Sequence, residues 1–310
     1  MIFVARGVMV SLAFFAVIYS FLSLLLALVW QVASRFRFVR LASGGLLFAF
    51  RVVPFVVSAV TALFLAFPSF LLMEGPAMDE DSGTFVLSAC ALLIVGAGLF
   101  RVLRAESETR RVVAAWLRGS TRLQHAGAEF SVVSPRNAAP ITLVGLRTPR
   151  ILVSESARTL LTEEELQAAI RHECQHQRSR DNLKKAAFNC IPFPGLGSLE
   201  HAWHDSSERD ADDGAVSTRR EALDLAAALV KLSRRAQLHA TPAHAIGFVG
   251  ATSSLGLRIE RLLAWNGHPE SSAKHWRYLV PLVLATVLVF VVKLGPALAL
   301  IHSLTDRLVP

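Results

Sequence analysis

Four stretches of the chain stay apolar long enough to cross a bilayer. Gly7–Trp30 carries no charged residue, Val52–Met73 is interrupted only by Pro54 and Pro68, Thr84–Phe100 is charge-free, and Tyr278–Ile301 holds a single charge, Lys293. A helix rises about 1.5 Å per residue, so about 20 residues cross a hydrocarbon core of about 30 Å. The pattern therefore predicts spans at about 7–30, 52–73, 84–100 and 278–301. Membrane helices tolerate proline, and a lysine stem can carry its charge toward the interface. The first run reads as an anchor and not a signal peptide, because its apolar stretch is too long and no small-residue cleavage site follows it.

Between the third and fourth runs the periodicity changes. Ser131–Val133, Ile141–Val144 and Ile151–Val153 are short β-branched runs punctuated by Pro135, Pro140, Gly145 and Pro149, a pattern of strands and turns. Thr162-Glu163-Glu164-Glu165 is a capping box, and Leu166, Ala169 and Ile170 continue it at helical spacing. That helix is expected to run to about Asn189 and to stop before Ile191-Pro192-Phe193-Pro194-Gly195. Ser206–Val216 and Glu221–Arg235 read as further helices. The expected organisation is a membrane region over 1–101 with three spans, a polar domain over 102–276, and a fourth span with a short tail over 277–310. The fold class is a multi-pass α-helical membrane protein with an inserted α+β domain.

Composition supports the bilayer as solvent: 53% of the 310 residues are apolar and 18% are charged, where soluble domains carry about 25% charge. The excess of Lys and Arg over Asp and Glu gives a net charge of +8. In a membrane protein such an excess marks cytoplasmic loops, not nucleic-acid binding. Arg35, Arg37, Arg40 and Arg51 fall in the first loop; Glu74, Asp79, Glu80 and Asp81 fill the second; Arg101, Arg104, Arg110 and Arg111 follow the third span; Lys274 and Arg277 precede the fourth. The asymmetry predicts an external N-terminus and a polar domain facing the cytoplasm. Cys90, Cys174 and Cys190 do not form a disulfide framework.

The polar domain carries the candidate chemistry. In His172-Glu173-Cys174-Gln175-His176 two imidazoles four residues apart share one helical face, so both can bind one zinc at about 2.0–2.1 Å. Glu173, rotated about 100° from His172, can take a proton without ligating the metal. A metzincin is excluded, because Ser179 and Asn182 stand where that class requires Gly and His. For a third ligand, Glu208 and Asp212 share a face, so one can ligate while the other orients a histidine. His204 competes for the position. Cys174, about 200° round the helix from His172, reads as a core residue.

The ordered set Ile141-Thr-Leu-Val-Gly145-Leu-Arg-Thr-Pro149-Arg-Ile-Leu-Val153, Glu163-Glu-Glu-Leu166, His172-Glu-Cys-Gln-His176, Arg180-Asp181, Glu208-Arg-Asp-Ala-Asp212 and Arg258-Ile-Glu-Arg261-Leu-Leu resembles the BlaR/MecR-type bacterial membrane metallopeptidases. The resemblance covers roughly residues 100–265. It implies a gluzincin-like fold with His172, His176 and Glu208 on zinc, Glu173 as general base and Asp212 behind the ligands. Asp181 follows the helix in the family manner but would face away from His172 on a straight helix, and is assigned to structure. The penicillin-binding sensor domain of antibiotic receptors is not expected, since the chain ends nine residues after Ile301. The expected activity is a zinc endopeptidase at the membrane that cleaves a cytoplasmic protein, with a transcriptional repressor as one candidate substrate, and takes its signal from a membrane partner or the bilayer. The rivals are an HtpX-type quality-control protease and a non-catalytic, zinc-stabilised scaffold. Substrate is expected to add to an edge strand, Ile151–Val153 or else Ile141–Val144.

Overall fold

Three of the apolar runs form helices that outlast their charge-free cores: Phe3–Ala33, Gly44–Leu72 and Gly83–Leu117 are each long and apolar enough to cross a membrane. The computed structural model describes residues 2–35, 42–73, 82–118, 120–125, 128–133, 140–239 and 245–267. The predicted fourth span with Lys293, the acidic loop 74–81, and Arg37 and Arg40 lie outside the described residues. The protein is mostly helical with a small sheet. It divides into two units, one built from Met1–Gly96 and Ile191–Glu200, the other from Ala97–Cys190 and His201–Ser271.

In the first unit, α1 (Ile2–Ala33) and α2 (Gly44–Thr61), which continues through a π-helical turn (Ala62–Ala66) into α3 (Phe67–Met73), pack around Tyr19. The Tyr19 ring stacks on Phe15 and meets Phe55 and Phe193 edge-on. Outward-facing Phe21, Leu24, Leu28, Phe64 and Leu93 are exposed, the surface expected where lipid replaces water. The helix that carries the second apolar run begins at Gly44, so Arg51 belongs to α2 and not to the first loop. Arg51 is fully buried; it donates to the Ile191 carbonyl at 2.6 Å and to Glu200 at 2.8 Å. Tyr19 Oη donates to the same carbonyl at 3.0 Å, and Trp30 Nε1 donates to Ser198 at 3.1 Å. The Pro-rich segment that stops a helix in the sequence is therefore held by side chains of two membrane helices.

The third apolar helix, α4 (Ser82–Leu117), continues well past Phe100. Beyond Arg101 it turns polar and carries the i,i+4 pairs Arg104–Glu108 and Glu106–Arg110.

The second unit has a four-stranded sheet, β1 (Thr121–His125), β2 (Ala128–Val133), β3 (Ile141–Val144) and β4 (Arg150–Ser154), in the order β1-β2-β4-β3. β2 and β4 are parallel, while the β1–β2 and β3–β4 pairs are antiparallel. This corrects the choice of edge strand: Ile151–Val153 is paired on both sides, and Ile141–Val144 forms one edge, with β1 at the other. The Ser154 N–H to Pro140 carbonyl bond sets the register, so Leu143 and Gly145 turn their main-chain groups away from β4. Asn182 Nδ2 donates to both of those carbonyls, at 3.0 and 3.2 Å.

After a short helix, α5 (Glu155–Leu160), comes α6 (Glu163–Ser179) with the expected capping box between Thr162 and Glu165. Lys231 Nζ donates to Glu165 at 2.7 Å. One stripe of α6, Leu166, Ala169 and Ile170, packs on Phe130, Ile151 and Val153 of the sheet. Another, at Ala168, meets Ala222 and Leu225 of α9 (Arg219–His239). The helix predicted to reach Asn189 is in fact two. Arg180 adopts left-handed φ 54° and closes α6, and α7 (Asp181–Cys190) begins at the next residue. α8 (Gly197–Ala215) and α10 (Ala245–Leu263) complete the set.

Candidate metal centre

Four helices deliver the site. His172 and His176 project from one face of α6 and are 6% and 8% exposed. Glu208 and Asp212, one turn apart on α8, approach from the other side. Their ligand atoms form a small triangle. His172 Nε2 lies 3.1 Å from His176 Nε2, and the two Glu208 oxygens lie 3.5 Å from one or the other imidazole nitrogen. A tetrahedral ion with bonds of about 2.1 Å separates its ligands by about 3.4 Å, so the three groups are spaced as one face of such a tetrahedron. They can hold a metal ion.

The opposite ring nitrogens face acids. His176 Nδ1 is 2.7 Å from Asp181 Oδ2. Asp181 is itself fixed by Ser207 Oγ at 2.7 Å and Lys184 Nζ at 3.0 Å. His172 Nδ1 is 3.0 Å from Asp212 Oδ1, with the oxygen off the ideal N–H line, so the contact is chiefly electrostatic. An ionised carboxylate only accepts, so Nδ1 is the nitrogen that keeps its proton, and each ring, once neutral, presents a bare Nε2 lone pair. Two such lone pairs at 3.1 Å repel unless a cation or a proton lies between them. The donor set thus fits a metal.

The titration behaviour has the same origin. Burial disfavours the charged form of His176, but the bonds to Asp181 and Glu208 outweigh it and push its pKa up to about 9. His172 is raised in the same way, against burial, by Asp212 and Glu208. Burial would raise Glu208, yet His172, His176 and Arg258 hold its carboxyl far below the usual range. Asp212, also against burial, is held down by Arg258 and His172.

Of the residues singled out in the sequence, His172, His176 and Glu208 come together and Asp212 stands behind His172. Glu173 is half-buried beside them, close enough for its charge to act on His176 and Arg258. His204 remains half-exposed, with Nδ1 3.6 Å from Glu208, and is outside the triangle. Cys174 packs against the sheet core, and burial raises its thiol pKa. Asp181 stands outside the ligand triangle but closer to it than a straight helix allows. It reaches His176 because α6 ends at Ser179 and the left-handed Arg180 turns the chain back, a break that helical periodicity does not register. Arg258 appears in the sequence only as part of a helix motif, yet it bridges Glu208 and Asp212.

No family model matches the chain, and no curated protein or solved structure matches it either.

Proposed function

We propose that the protein is a zinc-dependent endopeptidase of gluzincin-like fold, anchored in a bacterial inner membrane with its second unit in the cytoplasm. The observation that carries this reading is the triangle of His172, His176 and Glu208, set beside a glutamate one residue after the first ligand. Zinc held there supplies Lewis acidity, polarising a peptide carbonyl and making water a readier nucleophile. His172 and His176 offer Nε2 because Asp212 and Asp181 keep their protons on Nδ1. Glu173 takes the proton of the attacking water and passes it to the leaving amine. β3 offers an edge along which an extended substrate lies, its amides taking the place of the Asn182 amide at the Leu143 and Gly145 carbonyls. The substrate is a cytoplasmic protein, of which a transcriptional repressor is one candidate, and the resemblance in motif order supports that class.

The test separates catalysis from a zinc-stabilised scaffold. Purified full-length protein should contain one zinc per chain and cleave a fluorogenic casein substrate. Glu173→Gln should keep the zinc and lose at least about 100-fold in rate, within the range for a general base. His172→Ala and His176→Ala should lose both zinc and cleavage. Full zinc in both histidine variants, or full activity in Glu173→Gln, would reject the reading.

A further inference from the structure

We propose that Arg258 is a positioning residue of this metal centre, holding Glu208 and Asp212 in the arrangement in which one ligates the ion and the other orients His172. The inference rests on the metal-centre reading above and adds a residue to it.

Each of the three guanidinium nitrogens donates to a carboxylate. Nε and one terminal nitrogen fork onto the two oxygens of Asp212, at 2.8 and 2.7 Å, and the other terminal nitrogen donates to Glu208 Oε2 at 2.8 Å. The Arg258 side chain is 14% exposed and that of Asp212 is 0% exposed. The acceptors divide the labour further. Glu208 Oε2 is shared between Arg258 and the His172 side of the triangle, and Oε1 faces His176. Asp212 Oδ1 receives Arg258 and His172 together. A single rigid fork therefore sets the rotation of a ligand carboxylate and of the carboxylate behind a ligand imidazole. It also separates two acids, one turn apart on α8, that would otherwise repel across a buried gap. Lysine cannot reproduce this, because its donors radiate from one nitrogen and lack the planar fork that holds both oxygens of Asp212 while reaching Glu208.

The same pair of helices supplies an internal control. Arg261, one turn along α10, donates to Asp213 at 2.7 Å and to the Arg209 carbonyl at 3.1 Å, and touches Asp212 at 3.4 Å without reaching a ligand. If Arg258 only fastened α10 to α8, the two arginines would be equivalent.

The experiment uses full-length protein in detergent, with zinc affinity measured by chelator competition and cobalt(II) substitution read by visible absorption. Arg258→Lys should weaken zinc by about 10–100-fold, the usual loss when a group behind a ligand is removed, and should alter the cobalt d–d bands. Arg258→Gln should do the same or more, while Arg261→Lys should keep wild-type affinity and spectrum. Wild-type affinity and cobalt bands in Arg258→Lys would overturn the proposal, as would an equal loss in Arg261→Lys. Loss of the cooperative melt in both Arg258 variants would assign the residue to the fold instead. Failure of the parent reading is a distinct result: the wild type would take up neither zinc nor cobalt.

Discussion

At the residue scale the site is governed by where protons sit. His176 titrates near 9 without metal because Asp181 and Glu208 stabilise its charged form against burial. A metal must displace that proton, so zinc affinity should climb with pH and level off only near 9. Asp181→Asn keeps a hydrogen-bond acceptor but removes the charge. It should therefore let His176 deprotonate at lower pH, moving the plateau down toward the ordinary histidine value of about 6.5. It should also weaken zinc at the plateau by about 10-fold or more. Zinc titrations between pH 6 and 9.5 on both proteins check this, and superimposable curves would remove Asp181 from the site. The histidine pair was legible in the sequence because i,i+4 spacing survives any tertiary context. Asp181 was not, since its role depends on one left-handed residue, and non-glycine residues rarely adopt that conformation.

At the element scale, strongly periodic segments were legible and their partners were not. The capping box placed the start of α6, and the β-branched runs located three of the strands. Which strand is the edge depends on the parallel β2–β4 pairing, a long-range choice that local pattern does not encode. Charge-free length located three long apolar helices among the described residues, but it does not register that α2 extends back to Gly44 and so includes Arg51. That residue finds its partners about 140 and 149 positions away, in Ile191 and Glu200. Arg51→Met would take the arginine from Glu200 and leave the Ile191 carbonyl to Tyr19 alone, so segment 191–200 should loosen from α2. Its amides should exchange faster by hydrogen–deuterium mass spectrometry, whereas those of Leu152 and Val153 in β4 should be unchanged. Equal protection of the segment in both proteins would show that Tyr19 and Trp30 hold it without the arginine. The placement also explains how a charge survives in an apolar helix: it is enclosed by polar atoms of the protein and does not face lipid.

At the scale of the molecule, the question is which side of the membrane holds the metal centre. Moving Arg51 into α2 removes one of the four arginines that argued for a cytoplasmic first loop. Arg35, Arg37 and Arg40 remain, against only acids, Glu74, Asp79, Glu80 and Asp81, between the second and third spans. The polar end of α4 adds Arg101, Arg104, Arg110 and Arg111 on the side where the second unit begins. Two of these are matched by Glu108 and Glu106, but the orientation rule counts Lys and Arg near span ends and gives acids little weight, so the bias stands. If all three candidate helices cross, the proposed orientation has the second unit on the side opposite the N-terminus. A phosphatase–fluorescent-protein reporter pair should therefore show periplasmic activity when fused after Glu80 and cytoplasmic fluorescence when fused near Gly119. The reverse pattern would place His172, His176 and Glu208 outside the cytoplasm, where they could not act on a repressor, and would redirect the search for substrate to the envelope.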